Sequence, residues 1–293
     1  MPVNDPVVTA QTPAADLTID QKWDLYTAEE HAIWTTLYKR QMKILKGRAA
    51  PEHFKGLELL NLCDGGIPDF RRINEKLEKL TGWTVVTVPG LIPEKEFYEH
   101  LANRRFVSGR FIRDGNKLDY LPEPDIFHDV FGHVPLLTQP VFADYMQAYG
   151  KGGLRSLEFD TIKNMARLYW YTVEFGLINT PEGRRIYGAG IVSSKSESIF
   201  SLEARSPNRI HFDLERIMRT DYRYDDFQQT YFVIDSYDEL MEATYADFAP
   251  LYERLPTLSE YKPSDVADGD KVYSKGTQEY AMSGGLTGHA EAV

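Results

Sequence analysis

Between Pro122 and Pro135 two histidines, His128 and His133, stand five residues apart in a run that is otherwise mostly apolar. Further along, a single carboxylate, Glu174, lies in the aromatic and aliphatic stretch from Leu168 to Leu177. An imidazole or carboxylate on an apolar face costs several kcal/mol unless it is paired, hydrogen-bonded or bound to a metal. Any fold that buries these runs must therefore bring the three polar groups to partners. Two neutral imidazoles and one carboxylate form the facial set that holds non-haem Fe(II) and leaves coordination positions open.

Plainer readings compete. Each histidine could be a satisfied core residue, and Glu174 could meet Arg167 or Arg155. On an ideal α-helix a spacing of five places two side chains roughly 140° apart. A shared metal then requires the helix to distort or end between them, and Gly132 and Pro135 supply an interruption. A zinc hydrolase is the rival catalytic reading, but the H-E-x-x-H spacing is missing and Asp129 stands where its glutamate would be. Spacing alone points to a metal without fixing it.

Composition narrows the class. A net charge of -11 argues against nucleic-acid or anionic-membrane partners, since both reward basic patches. No apolar run approaches the ~20 residues that span a bilayer, and the N-terminus lacks the basic and apolar regions of a secretory signal. One cysteine, Cys63, cannot form an intramolecular disulfide; we expect it to be buried and the chain to be cytoplasmic.

Residues 1–21 and 261–293 lack a period and read as flexible tails around one catalytic domain, 22–260. Thr27 and Glu30 form a capping box for a helix running to about Leu45. Pro51, Pro68 and Pro93 each fit the first turn of a further helix. Gly82 closes the second of these, whose face is Phe70, Ile73, Leu77 and Leu80. Phe106–Arg113 and Lys117–Leu121, separated by Asp114-Gly115-Asn116, read as a β-ribbon. Lys163–Ile178 reads as one helix with Glu174 on the face of Trp170, Leu177 and Ile178. A strand at Thr230–Ile234 precedes a last helix, Tyr237–Leu255. The sum is a mostly α (α+β) single domain with small β-ribbons.

The runs Glu123–Leu136, Ala166–Leu177 and Tyr187–Ser194, in that order, resemble the pterin-dependent aromatic amino acid hydroxylases, most of all their short bacterial phenylalanine 4-monooxygenases. The resemblance extends from about Asp24 to Leu255. It implies a basket of helices around a mononuclear iron pocket, with His128, His133 and Glu174 as metal ligands. It also implies a tetrahydropterin cofactor (tetrahydrobiopterin or a relative), O2 as co-substrate, and conversion of L-phenylalanine to L-tyrosine in phenylalanine catabolism. Tryptophan hydroxylation is the alternative within the family.

By the same resemblance Gly90, Leu91, Ile92, Phe97 and Asp129 would contact the pterin, and Tyr169 would lie near the iron. Arg113 would clamp the substrate carboxylate, a task suited to a forked guanidinium. Ser193 would bond that carboxylate or orient His128, while Pro124, Trp170 and Gly190 would wall the aromatic pocket. Trp170 matches the phenylalanine enzymes, where tryptophan and tyrosine hydroxylases carry Phe. Tyr224 falls where the tyrosine enzymes have Asp, and it departs from the small aliphatic residue of the phenylalanine enzymes. Pro93 and Glu94 replace serine positions of the animal pterin segment. The animal regulatory domain and oligomerisation helix find no counterpart here, so we expect a monomer without allosteric activation by phenylalanine.

Overall fold

Helices begin where the sequence supplies caps. In the computed structural model, which describes residues 5–119, 123–245 (the side chain of Tyr245 excepted) and 248–285, the Thr27 hydroxyl accepts the Glu30 amide while the Glu30 carboxylate accepts that of Thr27. In chain order the first elements are α1 (Pro6–Thr9), α2 (Ala28–Leu45), α3 (Pro51–Leu60), α4 (Phe70–Thr81), β1 (Thr84–Thr87), α5 (Glu94–Ala102) and β2 (Arg105–Ser108). A π-helix, Phe127–His133, precedes α6 (Pro140–Ser156) and α7 (Ile162–Tyr169), and a second π-helix covers Trp170–Glu174. The remainder comprises β3 (Leu177–Thr180), β4 (Gly183–Ile186), α8 (Ala189–Val192), α9 (Lys195–Glu203), β5 (Asn208–His211) and α10 (Leu214–Met218). It closes with β6 (Thr230–Ile234), α11 (Tyr237–Tyr245), α12 (Ala249–Arg254), β7 (Val272–Ser274) and α13 (Glu279–Met282).

The helices surround one aromatic-rich core. Phe127 and Phe131, on the first π-helix, stack at 4.6 Å, and Trp34 of α2 meets Phe127 edge-on at 5.2 Å. Each fully buried ring of this kind contributes about 1.5–3 kcal/mol, so the π-helix is held by its apolar side. β1 and β2 pair in parallel through the α5 crossover. The loops leaving the carboxyl ends of both strands therefore open on the same side, where parallel sheets commonly bind ligands. The second sheet has the order β4-β3-β6-β5-β7.

Several expectations are corrected. β2 pairs with β1, not with a following strand; Arg113 instead binds Asp125 through its backbone and side chain. Leu121, the end of the expected ribbon, lies outside the described residues, as does Pro122. The helix read over Lys163–Ile178 stops at Glu174, because Leu177 and Ile178 join the sheet beside Val233 and Ile234. Tyr237–Leu255 is split into α11 and α12, and Leu255 begins a short 3-10 turn. Pro51 opens α3, but Asp69 caps α4 and leaves Pro68 outside it, while Pro93 sits just before α5. Gly82 does close α4, in left-handed backbone at φ 74°. Leu80 is 42% exposed rather than core-facing, and Cys63 is exposed.

The stretches read as tails are laid against the domain wherever they are described. Asp5 pairs with buried Arg110 at 2.5 Å, Asp16 with Arg105 at 2.7 Å, and Ile19 bridges to Thr87. At the far end β7 pairs antiparallel with β5. Ion pairs and ladder bonds of long sequence separation leave no periodic signal in either stretch.

Candidate metal centre

The two π-helices bring the polar groups together. In a π-helix the hydrogen bonds run between residues five apart, so residues at that spacing lie near one face. His128 and His133 use this, and their Nε2 atoms are 3.3 Å apart. The spacing that an α-helix could not reconcile is thereby resolved by distortion rather than termination. In the second π-helix the Phe175 amide reaches Trp170 O at 2.8 Å, again five residues back, and Glu174 ends the segment. Glu174 Oε1 is 3.1 Å from His133 Nε2, and its Oε2 is 3.6 Å from His128 Nε2. All three ligand atoms lie within 4.8 Å of one another, the one such His/Cys/Asp/Glu group among the described residues.

The Tyr187–Ser194 loop supports this group from behind. Gly188 presses on the end of the second π-helix: a Cβ there would sit 2.3 Å from Glu174 O. At Gly190 a Cβ would stand 3.1 Å from Glu174 Oε2. Ser193 Oγ donates to Ala189 O at 2.7 Å and lies 3.0 Å from His128 Nδ1. A hydroxyl has one proton to give, so with respect to His128 it accepts. That fixes the proton on Nδ1 and leaves the Nε2 lone pair facing Glu174, the tautomer a metal requires.

Electrostatics follow from burial and proximity. Burial pushes the His128 imidazole down, but the carboxylates of Glu174, Asp129 and Asp125 together outweigh it and the net shift is upward. Burial pushes Glu174 up, yet His133 and His128 together hold it below the usual carboxylate range. Burial raises the Asp129 carboxyl to about 6 against the pull of both histidines. Asp129 Oδ2 accepts the Gly109 amide at 2.9 Å. Tyr169, pushed well above the ordinary phenol range by burial, stays protonated.

A cleft of about 280 Å³ opens in front of the triad. The loops after β1 and β2 form its walls. Gly90, Leu91, Ile92, Phe97, Asp129 and Tyr169 all line it, as does Pro124. Phe97 meets Tyr169 edge-on at 5.7 Å, and Phe106 lies 4.9 Å from the His133 ring. Two neutral imidazoles and one carboxylate suit Fe(II), and a cleft lined by aromatic rings suits a flat heteroaromatic ligand.

Arg113, Trp170, Gly190 and Ser193 stand outside the lining of this cleft. Arg113 is buried and forked on Asp125, with Nε to Oδ2 and Nη2 to Oδ1, both at 2.8 Å. Trp170 stacks on Tyr222 at 4.4 Å and meets Phe175, tilted by 33°, at 4.6 Å. Tyr224 is 84% exposed and stands outside the lining of the cleft, and Tyr222 is the residue in contact with Trp170. Sequence reasoning missed Asp125, which also accepts the His128 amide at 2.9 Å. The signal was present, since Asp125 is a carboxylate in the same apolar run and obeys the same burial argument.

A family model describing biopterin-dependent aromatic amino acid hydroxylases matches residues 22–264. The phenylalanine-4-hydroxylase of Caulobacter vibrioides is 62% identical over 277 residues, 94% of each chain. That of Ralstonia nicotianae is 58% identical over 92% of this chain and 86% of its own. The crystal structure of the Chromobacterium violaceum phenylalanine hydroxylase with iron and phenylalanine bound superposes with TM-score 0.86 at 55% identity, covering 90% of this chain and 97% of that one.

Proposed function

The chain belongs to the biopterin-dependent aromatic amino acid hydroxylases, and from that premise we propose that it converts L-phenylalanine to L-tyrosine with O2 and a tetrahydropterin at one ferrous ion. The observation that supports this most is the convergence of His128, His133 and Glu174 at 3.1–3.6 Å beneath an aromatic cleft. Bound iron and tetrahydropterin supply the activation of O2 that no side chain provides.

The chain's own residues bind, orient and exclude water. His128, His133 and Glu174 would hold the metal, and three protein ligands leave coordination positions open. Ser193 keeps His128 in the metal-binding tautomer. Phe97 would pack against the pterin while backbone groups of Gly90, Leu91 and Ile92 meet its polar edge, and Asp129 would face it from beside the first ligand. Arg113 would receive the substrate carboxylate. Three of its five N–H groups are taken by Asp125 and Leu118, which leaves two for the substrate among the described residues. Pro124, Trp170 and Gly190 would bound the aromatic side chain, with Tyr169 close to the reacting centre.

We assign this role to a catalytic domain spanning 22–260 and acting as a monomer in the cytoplasm, where one exposed thiol is at home. No helix among the described residues is long and apolar enough to cross a membrane. The test is incubation with Fe(II), tetrahydropterin, air and each aromatic amino acid, followed by product identification and kcat/KM. Phenylalanine should rank first, because the Trp170 indole leaves less room for a bicyclic ring. A pocket contact of this size discriminates by only ~1–3 kcal/mol, so some turnover of tryptophan is expected. Tryptophan or tyrosine ranking above phenylalanine would refute the substrate assignment and leave the family intact.

A further inference from the structure

Behind the stacked Trp170 lies a polar clasp that the reaction as described does not use. The Trp170 indole N–H donates to Gln228 Oε1 at 2.9 Å. Gln228 is only 3% exposed. Its Nε2 donates to Arg223 O at 2.7 Å and to Asp226 O at 3.3 Å. Both amide protons are thus committed to backbone carbonyls, which forces the amide oxygen toward the indole. The turn from Arg223 to Asp226 and the tryptophan are therefore held by one side chain.

The base of this clasp is fixed as well. The Gln228 backbone amide approaches Glu197 Oε1 at 3.5 Å, and the Tyr231 hydroxyl donates to the same oxygen. In front, the indole is pinned by Tyr222 and Phe175, and the Phe175 ring edge reaches Gly190 beside the Glu174 carboxylate. A contiguous path runs from Gln228 through Trp170 and Phe175 to the iron-ligand carboxylate. Stacking alone lets a ring slide in its own plane, whereas a directional N–H bond fixes its rotation.

We propose that Gln228 is a positioning residue that sets the orientation of the Trp170 indole and thereby the discrimination between monocyclic and bicyclic aromatic amino acids. The inference rests on the reading of Trp170 as a wall of the amino-acid pocket. Gln228 touches neither substrate nor cofactor on this account; it acts through the indole.

The experiment is a double-mutant cycle of Gln228→Leu and Trp170→Phe, read as the ratio of kcat/KM for phenylalanine to that for tryptophan. Gln228→Leu should shift the ratio by roughly three- to tenfold, the span of one hydrogen bond. The shift should fall on KM for the amino acid and leave KM for tetrahydropterin unchanged. In the Trp170→Phe background, where no indole N–H exists, the same change should leave the ratio where Trp170→Phe put it. An unchanged ratio in Gln228→Leu, or an equal shift in both backgrounds, overturns the inference; the second outcome would mean that Gln228 acts through the 223–226 turn. Should Trp170→Phe alone leave the ratio unchanged, the pocket-wall reading fails first and the inference with it. If leucine prevents folding, Gln228→Asn keeps the amide but falls short of the indole, and the same outcomes apply.

Discussion

Asp125 ties Arg113 to His128, and its removal is a sharp test of how the site is held. Its carboxylate accepts four donors: the Arg113 amide, Nε and Nη2, and the His128 amide, at 2.8–2.9 Å. The side chains of the ion pair are 6% and 0% exposed. Removing one partner of a buried pair costs about 3–5 kcal/mol, chiefly because the other charge stays behind without compensation. The orphaned amides of Arg113 and His128 add at least about 1 kcal/mol. Arg113 keeps Leu118 O and the Phe127 ring at 5.7 Å, which offsets part of the loss. We therefore expect Asp125→Ala to lose about 4 kcal/mol, or roughly 10 °C in melting temperature for a domain of this size. Urea titration followed by circular dichroism measures it. The combination Asp125→Ala with Arg113→Met should recover about half of that loss, since an apolar pair replaces a stranded cation. A loss below about 1 kcal/mol in the single variant, or strictly additive losses in the double, would show that the guanidinium is not buried and dependent on Asp125 as described.

Three further outcomes follow from the geometry. Glu174→Gln keeps the shape of the ligand but removes its charge; it should release iron and abolish hydroxylation, and full iron occupancy with activity would remove Glu174 from the site. Ser193→Ala frees the Nδ1–H of His128 and should weaken iron binding roughly 10–100-fold in a chelator competition, whereas an unchanged affinity would show that the hydroxyl does not set the tautomer. Burial pushes the Glu197 carboxyl up to about 7. Between pH ~4.5 and ~7 the folded chain holds a proton that the unfolded chain has released, so stability is greatest below this window and falls through it by up to about 3 kcal/mol. Glu197→Gln should flatten that slope in urea midpoints taken across the window, and an identical slope in the variant would exclude Glu197 as its source.

The periodic and capped parts of the fold were legible from residues alone. Thr27 and Glu30 name the start of α2, Gly82 names the end of α4, and the β-rich run Thr230–Ile234 is a strand because local chemistry alone specifies each. The burial cost of His128, His133 and Glu174 likewise marked each as a group that must find a partner, and the resemblance joined them as one set. What the chain could not reveal locally depends on partners distant in sequence. The π geometry that puts His128 and His133 on one face is a rare helix type, held by core rings such as Trp34 from α2. Leu177 and Ile178 continue a helical pattern on paper, but the sheet places them beside Val233 and Ile234. The segment around Asp5 and Asp16 has no period at all and is ordered by arginines about ninety residues or more away. The chemistry of the site was written in residue type and spacing, because desolvation penalises those groups in any fold. The register, the helix type and the setting of Trp170 against Gln228 were decided by tertiary contacts, because only packing makes those conformations the lowest in free energy.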